Sequence, residues 1–144
     1  MWPSGVALAE HVATRELVGA RVLELGAGLG LPSLAAALGG ADVLATDWAE
    51  DAVALLAANA ARNHIALRAE VRRWDEPDGF AGGWDLVLAA DVLYEQRNVD
   101  QLLALLPRLG GEILLAEPGR PFAKDFFVRW GAVDELEERL YRLR

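Results

Sequence analysis

The sequence predicts an α/β fold: a mostly parallel, twisted sheet with helices on both faces. Three observations predict it. Short β-rich runs alternate with helix-like segments along the whole chain, as repeated β-α-β units require. A glycine string follows the first of those runs directly. One run, Asp85 to Ala90, is almost continuously apolar, the pattern of a strand buried on both faces.

The elements follow in order. Ser4 to Ala13 reads as a helix, with Pro3 suited to its first turn. Arg21 to Leu25 is the first strand. Pro32 to Leu38 is an Ala/Leu helix closed by Gly39-Gly40. Asp42 to Thr46 is the second strand. Glu50 to Arg62 is a helix whose apolar face carries Val53, Leu56 and Ala60. Ala66 to Arg72 is a weaker third strand, and Pro77 to Gly83 is the clearest loop. After the fourth strand, Val99 to Leu106 is a helix with Asn98 and Gln101 as a capping pair, ended by Pro107 and Gly110-Gly111. Glu112 to Ala116 is the fifth strand, Pro121 to Trp130 is helical, and Val133 to Leu143 supplies a last strand or a short hairpin.

Composition narrows the function. The 144 residues fit a single domain, 1–144, and 53% hydrophobic content can fill a core. There is no cysteine, so disulfides, thiolate metal sites and a cysteine nucleophile are excluded. His11 and His64 are the two histidines, too few for a multi-histidine metal site, and no metal is expected. A net charge of −8 disfavours nucleic acid as partner, because phosphate contacts need a basic footprint. The fourteen basic residues include a single lysine, Lys124. No apolar run approaches the ~20 residues of a bilayer span, and the start of the chain lacks a signal-peptide pattern. The expectation is a soluble cytoplasmic protein that does not use a membrane.

Two segments carry chemistry. Glu24-Leu25-Gly26-Ala27-Gly28-Leu29-Gly30 leaves the first strand and opens the first crossover helix. Glycines there allow a tight turn and close approach of a ligand to the backbone, and the helix start beyond offers free N–H groups. The dinucleotide pattern would need glycine at position 31, where Leu31 stands; the spacing is G-x-G-x-G. The plain alternative is a tight strand-to-helix turn without a ligand. Asp47 ends the second strand, where an acid can bond ribose hydroxyls; with Glu50 it also reads as a capping box. In the second segment, Trp84 to Tyr94, a buried strand delivers Asp91 to the carboxyl edge of the sheet, and Tyr94 follows three residues later. A carboxylate beside a phenol ring suits an amine: the acid attracts and orients it, and the ring face stabilises a cationic nitrogen. The alternative is a helix-capping Asp and a packed Tyr.

The glycine loop resembles motif I of the class I S-adenosylmethionine-dependent methyltransferases, a Rossmann-like fold. Asp91-Val92-Leu93-Tyr94 resembles the Asp-x-x-Tyr motif of the family 16 seven-β-strand protein-lysine methyltransferases, among them the enzymes acting on the electron-transfer flavoprotein β subunit. Trp2-Pro3-Ser4-Gly5, Gly30-Leu31-Pro32, Thr46-Asp47 with Asn59 and Asn63, and Glu117-Pro118-Gly119-Arg120 resemble further segments of that family. The resemblance implies S-adenosyl-L-methionine as cofactor, contacted by Trp2, Gly26, Ala27, Gly28, Asp47, Trp74 and Ala90. Trp74 and Asp75 would flank the adenine; alone they read as a loop residue and a solvated acid. Glu24, Gly30, Trp48 and Asp75 complete the candidate cofactor set, with Glu24 placed to serve the ammonium of the cofactor's amino-acid end. Asp91 and Tyr94 are the candidate catalytic pair. The activity implied is N-methyl transfer, with the lysine side chain of a protein as the leading acceptor. A small-molecule N-methyltransferase of the nicotinamide type and a cofactor-binding module without catalysis are the alternatives. The part after Pro121 is short for the family, which allows a reduced sheet. His11, His64, Arg68, Arg72 and Arg73 are expected to be surface residues without a catalytic part.

Overall fold

The computed structural model describes residues 3–144. Seven strands form one sheet: β1 (Arg21–Leu25), β2 (Asp42–Asp47), β3 (Arg68–Val71), β4 (Leu86–Ala90), β5 (Glu112–Ala116), β6 (Val133–Glu137) and β7 (Leu140–Leu143). Their spatial order is β3-β2-β1-β4-β5-β7-β6. The first five are mutually parallel, and β7 is antiparallel to both β5 and β6. The helices are α1 (Pro3–Ala13), α2 (Leu31–Leu38), α3 (Glu50–Arg62), α4 (Gln96–Leu105) and α5 (Ala123–Trp130). The chain moves outward from β1 to β3, then returns to lay β4 on the other side of β1. That reversal makes a crevice between the carboxyl ends of β1 and β4, where open α/β sheets take their ligands.

Strand periodicity sorts the core onto two faces. Leu23, Leu25, Val87, Ala89, Ile113 and Leu115 face α4 and α5, meeting Val99, Leu102 and Phe126. Val22, Leu86, Leu88, Leu114 and Ala116 face the other way, against Leu8 and Val12 of α1 and Ala36 of α2. β4 is buried over its first four residues, as its apolar run predicts.

Four local expectations are revised. α4 starts at Gln96, so Asn98 lies inside its first turn, buried, and makes no cap with Gln101. The sheet is not reduced: of the two forms expected for Val133 to Leu143 the hairpin is the one found, as β6 and β7, and it completes seven strands. β3 is shorter than Ala66 to Arg72 because it is an edge strand, paired only with β2 and incompletely covered. His11 has a distant partner: its Nδ1 lies 2.8 Å from Glu137 Oε1, tying α1 to β6. Arg68, Arg72 and Arg73 are surface residues as expected, paired with Asp42, Glu70 and Asp75.

Candidate active site

The glycine loop is shaped by φ values of +62°, +55° and +72° at Gly26, Gly28 and Gly30, a left-handed backbone that L side chains resist. At Gly26 a Cβ would come within 3.1 Å of Val92 Cγ1 and 3.2 Å of Trp74 Cζ2, so the loop rests on the Trp74 ring. At Gly28 a Cβ would meet nothing within 4 Å: the backbone faces open space. Ala27 N–H donates to the Thr46 carbonyl at 2.8 Å, and Gly28 N–H donates to Asp47 Oδ2 at 2.9 Å.

Asp47 is not the helix cap that its spacing to Glu50 allows. α3 begins at Glu50 with Ala49 as cap residue and no side-chain capping bond. Asp47 Oδ1 accepts Ala49 N–H at 3.0 Å and Oδ2 accepts Gly28 N–H, so the carboxylate ties the strand end to the glycine loop. Each oxygen keeps a lone pair for a ligand hydroxyl.

Glu24 lies on the same face of β1 as Val22, under the start of α2. Its Oε2 accepts Ser33 N–H at 2.9 Å and the Ser33 hydroxyl as well, satisfying a first-turn donor of α2 that has no intrahelical partner. Burial pushes the carboxyl up to about 8; the Ser33 bonds oppose this and nearby Asp47 adds to it. The folded protein therefore holds a proton that the unfolded chain, near 4.5, has released. Stability should fall as pH rises between those two values, by a few kcal/mol, since each tenfold difference in proton affinity is worth ~1.4 kcal/mol. Urea midpoints of the wild type should drop from about pH 5 to about pH 8, and Glu24→Gln should flatten that slope.

Asp91 follows β4 with φ +52°, and its N–H donates to the Ala116 carbonyl at 2.9 Å. It is not a helix cap, since α4 begins only at Gln96. Its side chain is 10% exposed and is gripped by Arg120: Nε to Oδ1 at 2.8 Å and a terminal nitrogen to Oδ2 at 2.7 Å. Arg120 is itself placed by Glu117, whose Oε1 accepts Gly119 N–H at 2.8 Å and Arg120 N–H at 2.6 Å. Glu117 is buried, and burial raises its pKa, opposed by those two N–H bonds and aided by Asp91. Tyr94 is 45% exposed, with its ring free to meet a ligand.

One cavity of about 420 Å³ gathers Glu24, Gly26, Ala27, Gly28, Gly30, Asp47, Ala90, Asp91 and Tyr94, with Gly5 of α1 and Arg120. The remaining described candidates, Trp48, Trp74 and Asp75, line a second cavity of about 210 Å³ with Arg72, Arg73, Arg97, Asn98 and Gln101. Asp75 is held by Arg73 through two bonds, which lower its pKa. Buried Asn98 Nδ2 has no partner among the described residues. Trp2 lies outside the described residues. Sequence reading gave no site role to Arg120, Glu117 or Ser33, and read Asn98 only as a helix cap. Only the Glu-Pro-Gly-Arg run carried a signal, and it had no geometry attached. A larger groove of about 580 Å³ at the opposite sheet edge, lined by Leu103, Pro107, Gly111, Trp130 and Leu143 among others, contains no carboxylate side chain among its described lining residues.

These residues fit a ligand with an amino-acid end, a ribose and an aromatic base. The first cavity offers open backbone at Gly28 and a carboxylate at Asp47; the second offers two indoles and an orphaned amide donor.

Comparison with known proteins agrees with this architecture. The T. thermophilus 16S rRNA N2 methyltransferase RsmC, solved with AdoMet and guanosine, superposes with a TM-score of 0.79 at 21% identity, over 100% of this chain and 43% of that one. The electron transfer flavoprotein beta subunit lysine methyltransferase of Danio rerio is 33% identical over 139 residues, 89% of this chain and 52% of its own length. The protein N-lysine methyltransferase METTL21A of Danio rerio is 36% identical over 118 residues, 76% of this chain and 54% of its own. The chain thus spans about half the length of these relatives. A family model described as lysine methyltransferase matches residues 1–127. With its fold that of the class I methyltransferases, the chain belongs to the lysine methyltransferase family.

Proposed function

We propose that this protein binds S-adenosylmethionine and transfers its methyl group to the side-chain amine of a protein lysine. The observation that carries the reading is the sharing of one cavity by the glycine loop, Asp47, Asp91 and Tyr94, in a chain of this family. When bound, S-adenosylmethionine supplies a methyl group on a sulfonium: the amine lone pair forms the new N–C bond, the C–S pair stays with sulfur, and the methylated ammonium sheds a proton to water.

The chain's residues hold and orient. Gly28 lets the backbone approach the ligand, and Asp47 accepts from ribose hydroxyls. Trp74 and Trp48 flank the base, with Asp75 and Asn98 at its polar edge. Asp91 would accept a hydrogen bond from the acceptor nitrogen and orient its lone pair for attack, and the Tyr94 ring would cover it. The acid balance, net charge −8, supports a protein or small amine over nucleic acid as acceptor.

Incubating a proteome with the enzyme and labelled S-adenosylmethionine, then mapping the label by mass spectrometry, tests the acceptor. Label on lysine of one or a few proteins is expected. Label confined to small amines would move the nicotinamide-type reading ahead, and no transfer with intact cofactor binding would leave a binding module.

Asp47→Ala should weaken binding of S-adenosylhomocysteine by ~1–3 kcal/mol through lost hydrogen bonds to the ribose. Titration calorimetry reads this directly. A lower melting temperature with unchanged affinity would show that Asp47 serves only the loop.

A further inference from the structure

Asp91 presents a difficulty for the chemistry just described. A lysine amine has a free pKa of ~10.4, and only its neutral form attacks carbon. A lone carboxylate beside it stabilises the ammonium and pushes that pKa higher still. The structure contains the counterweight. Arg120 grips both oxygens of Asp91, at 2.8 and 2.7 Å, in the same cavity. Its approach is fixed from behind by Glu117, which gathers the Gly119 and Arg120 N–H groups and is itself tied to the β6–β7 turn by its own N–H on the Arg139 carbonyl, 3.0 Å away.

We propose that Arg120 is a positioning residue that neutralises Asp91, so that the site holds its acceptor amine uncharged. The inference rests on the methyltransferase reading above. A guanidinium stays charged at any working pH and spans the carboxylate with two parallel bonds. The pair presents no net charge, so an ammonium gains little there. The carboxylate oxygens still keep lone pairs to accept one N–H of the neutral amine. Among the described residues, the other ionisable groups of the cavity are Glu24, Asp47 and Tyr94, with Glu117 behind Arg120. Glu24 is bound to Ser33 and Asp47 to the amides of Gly28 and Ala49, whereas among the described residues Asp91 is the cavity carboxylate that a guanidinium grips. The proton released as the ammonium enters goes to solvent, which reaches the pair at Arg120, 38% exposed.

Single-turnover rates across pH test this. Enzyme is held in excess over the acceptor sites of heat-treated total lysate protein, at a concentration where the rate no longer rises, with tritiated S-adenosylmethionine. The profile then reports ionisation within the complex. In Arg120→Gln the acid limb should move up by about one pH unit or more, with the rate recovering at high pH. Arg120→Lys, which keeps the charge, should hold the limb near its wild-type place. Unchanged affinity for S-adenosylhomocysteine is the check that each variant is folded. If the limb of Arg120→Gln stays in place, the proposal falls: a uniform loss would make Arg120 a scaffold, and a uniform gain would make it an occupant that substrate must displace. A wild type that labels nothing would instead overturn the methyltransferase reading itself.

Discussion

Asp91→Asn should cut the single-turnover rate about a hundredfold or more, the ~2.7 kcal/mol expected when an oriented charged acceptor is lost at the reacting atom. Affinity for S-adenosylhomocysteine should stay within about twofold, because the interaction is made to the acceptor amine. The carboxamide keeps the shape but offers one acceptor oxygen, and it leaves the Arg120 guanidinium without its counter-charge at the site. Unlike the loss in Arg120→Gln, this one should not recover at high pH, since the missing element is orientation as well as charge balance. Tyr94→Phe separates ring from hydroxyl: a mild loss is expected if the ring face covers the nitrogen. Undiminished turnover in Asp91→Asn would remove the reason for placing an amine there.

The second large effect separates two glycines of one loop. Gly28→Ala places a methyl where nothing stands within 4 Å, in the cavity and not in the core. Its φ of +55° costs ~1–2 kcal/mol of stability for an L-residue, which a stable domain survives. Binding of S-adenosylhomocysteine should fall at least tenfold, and Gly28→Val should abolish it. Gly30→Ala meets the buried Leu56 side chain, whose Cδ2 would lie 2.7 Å from the new carbon. Strain at φ +72° adds to an overpacking cost of ~1–3 kcal/mol. That variant should lose melting temperature first. Calorimetry and thermal unfolding on the two proteins distinguish them; equal stability losses with equal binding would mean the loop has no ligand-facing side.

The glycine string, the β4 run and the acid after β2 were legible in the sequence because each follows from a local rule: turn chemistry, two-sided burial, an acid at a strand end. Strands β1, β2, β4 and β5 fall within a residue of their expected bounds for the same reason. What sequence could not supply is long-range. Asn98 looked like a cap because nothing local says that α4 begins three residues sooner than Val99, at Gln96. His11 looked solitary because Glu137 lies 126 residues away. Asp47 looked divided between ribose and a helix cap until the backbone showed its carboxylate on Gly28. Arg120 was visible as a letter in a motif, but its grip on Asp91 needs the β4–β5 register that brings Ala90 beside Ala116.

The placement of β7 between β5 and β6 bears on how the molecule is assembled. A chain emerging from the ribosome can pair β1 through β5 as each appears, but β6 has no seat in the sheet until β7 follows it and inserts against β5. The Glu117 N–H bond to Arg139 forms only at that moment. The glycine loop can therefore be complete while the Arg120 side of the cleft is still unset. Synthesis delivers the chain from the N-terminus at ~5–20 residues per second. A fragment ending near residue 137 would carry an open β5 edge, exposed to pairing with other chains, and would lack the Arg139 carbonyl that holds Glu117.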